Sequence, residues 1–386
     1  MFRKVFFISS ILLFAFGLNS CVERFRPNID KYDNLLVIDG NITNQPGPYT
    51  VKLSRSAPLH NLEFIPITDC QVSIFDNTGI SEVLVPVDAG VYQTSPSGIQ
   101  GIVGRQYKIS IQLPDGNIYE SDFEELKQAV ELESVYTQIE YREDETVNHT
   151  LAGYQFYLDT KKADTEANYY FWSLEATYQY QSDYTIRWIY RDTLEWFHAP
   201  WKYYNCWTTD PLSDIYVFNT EGLITPVITA FPLHYVNTET RKLSVRYSLL
   251  VKQFTISKQA YSFFEGLQDN TGEGSLYSQQ PTQIRGNVFN IDNAGEPVLG
   301  YFLIAGLHEK RLFVDRPKLP VHFYYSQCQL TEADFEAYAQ LPWYASAEFP
   351  YFAIETPGGR RAVPNQACVD CRRKGGMVEK PDFWID

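Results

Sequence analysis

Cys368 and Cys371 stand three residues apart near the C-terminus, a spacing that serves thiol redox chemistry, half of a zinc site or a small structural disulfide. A redox pair needs a helix behind it so that the first thiolate faces a helix N-terminus, and Gly375-Gly376 interrupts any such helix. Zinc needs two further ligands, and no second Cys pair or closely spaced His pair accompanies the motif. The structural disulfide is the expected reading, with the redox and metal roles open behind it. Cys206 and Cys328 join Cys368 and Cys371 as candidate disulfide residues. Once Cys21 is set aside, Cys70 leaves the set odd, so at least one thiol stays free or pairs elsewhere.

No residue is assigned a catalytic role, and no metal or cofactor is expected. His308-Glu309 opens like a zinc-protease motif, but the fifth position is Leu312 rather than a second His. The sequence has no Gly-x-Ser-x-Gly elbow, P-loop or dinucleotide fingerprint. Carboxylates such as Asp192 and Glu195 would serve glycoside cleavage only if set across a cleft, which spacing alone does not show. With 47 acidic residues in the chain, such pairs occur by chance.

Aromatic residues are the more informative group. Five of the seven Trp lie between Trp172 and Trp207, so this stretch can hardly all point inward. Exposed Trp and Tyr give large, rigid contact area at low entropic cost. Trp188, Trp196, Phe197, Trp201, Tyr203, Tyr204 and Trp207 are therefore candidate contacts for a partner or ligand, with 196–207 the best exposed segment. The competing reading is cross-strand packing in a wide sheet.

The elements that position these residues should be strands. Tyr and Phe number 28 and 25 against 2 Met, a bias toward β structure. Short alternating segments at 35–40, 49–53, 70–75 and 107–111 are separated by Pro, Gly, Asn and Asp turns at the spacing of a sandwich. Further strands are expected at 154–159, 169–180, 184–190, 288–291, 300–307 and 311–314. Helices are few: Ser257 caps one that ends near Asn270, and Thr331 caps another. The predicted fold class is all-β, with an immunoglobulin-like or transthyretin-like sandwich at 34–126 and a larger β-rich sandwich or partial barrel at 127–386.

Arg3 and Lys4 precede an uncharged apolar run over 5–17, too short to span a bilayer and typical of a signal peptide. It ends on Leu18-Asn19-Ser20-Cys21, which resembles a bacterial lipobox. Residues 1–20 are thus an expected cleaved signal, Cys21 the expected lipid-attachment site, and 21–33 a tether to the bilayer. Losing Arg3 and Lys4 takes the formal net charge from −15 to −17. Such an acidic surface repels phosphate backbones, so no nucleic-acid partner is expected.

The lipobox, the strand Asn34-Leu35-Leu36-Val37-Ile38-Asp39-Gly40-Asn41-Ile42-Thr43 and the strand Gly47-Pro48-Tyr49-Thr50-Val51-Lys52-Leu53-Ser54 resemble the domain-of-unknown-function 4249 lipoproteins of Bacteroidota. The tail from Cys368 to Gly376, closed by Lys380-Pro381-Asp382-Phe383-Trp384, is similar to how that family ends. The resemblance implies an outer-membrane lipoprotein, associated with an outer-membrane β-barrel such as a TonB-dependent receptor or an assembly complex. Glu23 alone hints at a surface-export signal, so the cell-surface and periplasmic faces both stay open. The expected role is a non-enzymatic accessory subunit or ligand-binding partner of such a barrel. The alternatives are an envelope glycan or peptide hydrolase and a surface structural or adhesion lipoprotein.

Overall fold

A computed structural model describes residues 34–57, 64–143, 148–163, 168–191, 193–271, 284–319, 323, 328–336 and 348–385. The expected signal segment, Cys21, the expected tether and Asp192 lie outside the described residues. The fold is all-β: several open sheets, with two α-helices among the described residues, Lys258–Thr271 and Glu332–Glu336.

The first sandwich follows from alternation. Gln106–Gln112 buries Tyr107, Ile109 and Ile111 and turns Lys108, Ser110 and Gln112 outward. It lies in a six-stranded sheet between Gln71–Asp76 and Ile118–Ser121. The facing sheet contributes Leu36, Ile38 and Ile42 from Leu36–Thr43 and Val51 and Leu53 from Thr50–Arg55. Each such side chain removed from water stabilises the fold by about 1.5–3 kcal/mol.

Residues much later in the chain complete this core: Val288, Val298, Phe302 and Ile304 pack within it. The last three belong to or adjoin Leu299–Asp315, a 17-residue strand that connects the two halves of the molecule. Its first part, from Leu299 to Ala305, pairs parallel with Leu36–Thr43. Its second part, from Gly306 to Asp315, pairs antiparallel with Arg246–Ile256. The strands expected at 300–307 and 311–314 are therefore one, and a nine-stranded sheet runs unbroken through both halves.

Side-chain parity on this strand assigns its two faces. Phe302 and Ile304 enter the first core, while Leu312 and Val314 pack on the second. The opposite face places Tyr301, Leu303, Ala305 and Leu307 under the Lys258–Thr271 helix. The second core forms where Tyr169–Gln181 turns Tyr170, Trp172, Leu174, Ala176, Tyr178 and Tyr180 toward a three-stranded sheet of Leu132–Arg142, Leu151–Thr160 and Phe231–Asn237. Trp172 Nε1 there donates to Gln253 Oε1 at 2.9 Å, and Gln253 Nε2 donates to the Val130 carbonyl at 2.7 Å. The C-terminal tail crosses the other face of the same sheet, with Trp384 wedged edge-on against Trp207 and Phe313.

Candidate functional site: an aromatic module pinned by disulfides

Most of the candidate aromatic residues fall in or beside a small four-stranded sheet. Its order is Thr193–Trp196, Trp188–Arg191, Tyr351–Glu355, Arg361–Ala362. The strand expected over 184–190 starts only at Trp188; Tyr184 and Ile186 instead supply side chains to the module's own core with Ile189, Phe352, Ile354 and Val369. At the start of the short Glu332–Glu336 helix the Thr331 backbone N–H and hydroxyl both donate to the Asp334 carboxylate, at 2.6 and 2.9 Å.

Exposure divides the seven candidates. Trp188 and Trp207 are 9% and 8% exposed and drop out as contact residues. Trp188 lies beneath the Arg361 guanidinium at 4.8 Å and belongs to a cluster with Ala353 and Val363. Trp207 forms a two-way backbone bridge with Met377, 2.9 Å each way, and packs against Trp384. Phe197 and Tyr203 stack at 6.2 Å and lean on Phe352, so they too mainly serve packing. Tyr204 is half-buried and meets Trp201 edge-on at 4.9 Å. Trp196 and Trp201 remain, 50% and 62% exposed. Arg187 lies over the Trp196 ring at 4.8 Å.

The cysteines do pair, but not with each other across the Cys-x-x-Cys spacing. Cys371 is bonded to Cys206, 165 residues away, and Cys368 to Cys328. The local disulfide read from the motif is thus replaced by two long-range bonds that converge on one short turn. The basic residues that follow are all used. Arg372 grips the buried Asp370 carboxylate through Nε at 2.9 Å and Nη2 at 2.7 Å, and covers the Tyr203 ring at 3.8 Å. Arg373 donates to the Phe349 carbonyl at 2.7 Å, and Lys374 pairs with Asp183 at 3.1 Å. Asp183 also lies near Cys328 and Cys368, but their sulfurs are bonded to one another and offer no thiolate to a metal. Cys70 is the one free cysteine among the described residues.

The remaining sequence candidates do not converge. His308 and Glu309 are neighbours on a strand, so their side chains leave opposite faces. His308 Nδ1 accepts the Leu132 N–H at 3.2 Å, and burial holds its pKa below the usual value. Glu195 is half exposed on the edge strand, 3.9 Å from Arg191. Two buried titratable groups carried no sequence signal: desolvation lowers the His234 pKa to about 4 and raises that of Glu124, whose carboxylate accepts the Tyr301 hydroxyl at 2.9 Å. Both depend on burial, which periodicity around a lone His or Glu does not reveal.

A family model described as Domain of unknown function (DUF4249) matches residues 22–311. The cysteine tail lies beyond that match, so the likeness of the chain's end is not part of it. No curated protein is matched by the chain. The match begins next to Cys21 and covers both sandwiches, and on that basis the chain belongs to the DUF4249 family.

Proposed function

We propose that this chain is a non-catalytic, lipid-tethered subunit of the outer membrane that docks on an integral β-barrel, either a TonB-dependent transporter or an assembly complex. The observation that carries this reading is the pair of exposed indoles, Trp196 and Trp201, on a module that two disulfides and its own core hold stiff. Rigid exposed Trp residues lose little entropy on binding and are frequent anchors of protein interfaces. Support for the tether comes from the lipobox-like residues before Cys21. Several acyl chains at about 0.8 kcal/mol per buried methylene would give a stable anchor.

The test is affinity isolation of the full chain from gently solubilised native membranes. A barrel protein should be recovered in equal amount, and Trp201→Ala combined with Trp196→Ala should lose it. Because both indoles face solvent, the double variant should stay within about 1 kcal/mol of the parent's stability. A solitary parent protein, or a variant that retains its barrel undiminished, would reject the reading. Recovery of a laterally self-associated sheet of this chain would favour the structural or adhesion role instead.

A further inference from the structure

Where the module meets the second sandwich there is an open cleft of about 260 Å³, lined in part by Asp183, Tyr204, Arg241, Ser244, Arg316 and Lys374. Its three cations come from separate parts of the chain. Arg241 opens the Arg241–Leu243 turn, Arg316 follows the end of the long shared strand, and Lys374 ends the Cys371–Lys374 turn. Their state of neutralisation differs. Lys374 pairs with Asp183, both side chains being largely buried. Arg241 lies over the Tyr180 ring at 4.7 Å, and Arg316 lies over Phe323 at 4.3 Å with a long 3.5 Å contact to the Ser244 carbonyl. Neither guanidinium has an ion-pair partner among the described residues.

A chain with 47 acidic and 32 basic residues thus sets two unneutralised guanidiniums beside one paired lysine in a single cleft. We infer that this cleft binds a small hydroxylated carboxylate, of the sugar-acid class. Guanidinium forks match the planar carboxylate geometry. Asp183 lends the wall an acceptor for a ligand hydroxyl and disfavours a multiply charged phosphate. The volume lies below the usual range for drug-sized ligands and fits a single sugar unit. The disulfides hold the walls: the Asp183 N–H donates to the Cys368 carbonyl at 2.9 Å, the Tyr180 hydroxyl donates to the Cys371 carbonyl at 2.9 Å, and Lys374 lies three residues after Cys371. The cysteine tail that stiffens the docking module thus also shapes this cleft.

The full chain in detergent would be titrated calorimetrically with galacturonate, with neutral galactose and with inorganic phosphate. Saturable binding of galacturonate, no binding of galactose and weaker binding of phosphate are expected. Arg241→Gln and Arg316→Gln should each weaken galacturonate about tenfold or more, the loss of one charge-assisted contact. Lys52→Gln, exposed on the first sandwich, should leave binding unchanged. Three results would overturn the inference: galacturonate giving no saturable heat, galactose binding equally well, or phosphate binding more tightly. The parent's choice among the three probes stands without any variant, so a folding defect in an arginine variant does not blunt the test.

Discussion

His234 shows how a single side chain writes itself into the behaviour of the whole fold. Burial beside Lys242 and Arg142 lowers its pKa from 6.5 to about 4, only partly opposed by Asp214. The folded state therefore keeps the ring neutral while the unfolded chain takes up a proton as pH falls below 6.5. Its stabilising contribution is complete above that pH and is lost progressively down to about 4, on the order of 3 kcal/mol in all. Urea unfolding followed across this window should show the parent weakening toward acid and His234→Gln weakening less. Equal slopes would place the acid sensitivity elsewhere. At the same scale, the identity of the aromatic residues was plain in the sequence but their exposure was not. Trp188 and Trp196 are directly opposed across two strands, yet one is covered by Arg361 and the other stands on the sheet edge.

Among the elements, strongly alternating segments such as Gln106–Gln112 and Tyr169–Gln181 were legible because one face of each meets a core. Asn205–Asn219 was not, since it carries Pro211 and several polar residues that only an edge strand tolerates, and it lies at the end of the nine-stranded sheet. The long shared strand read as two because His308, Glu309 and Lys310 interrupt its apolar run just past the point where it changes neighbours. Gly300 near its start is where that strand is most exacting. It has φ +88°, and an added Cβ would sit 1.9 Å from the Ile38 carbonyl oxygen. Gly300→Ala should therefore cost at least about 2 kcal/mol, measured as a shift in the denaturant midpoint. A neutral outcome would mean that the parallel pairing with Leu36–Thr43 can slip.

At the level of the whole molecule, two sandwiches that share a strand and a continuous sheet should not melt separately. Gln253 bonded to Val130, Val130 to Thr255 and Leu132 to His308 add polar ties at the crossing. Calorimetry should give a single transition whose van't Hoff and calorimetric enthalpies agree. Two resolved peaks would show independent halves. The same reasoning predicts that a fragment ending at residue 126 will not form a stable sandwich, because it lacks Val288, Val298, Phe302 and Ile304.

That dependence also sets a timetable. A polypeptide made from its N-terminus has its first sandwich incomplete until residue 304 has been synthesised. Strand Leu36–Thr43 must therefore wait, with its parallel edge unfilled, for most of the chain to appear. The early strands of the chain thus stay pliable while the intervening residues are made, and set only when Leu299–Ala305 arrives to fill the vacant edge.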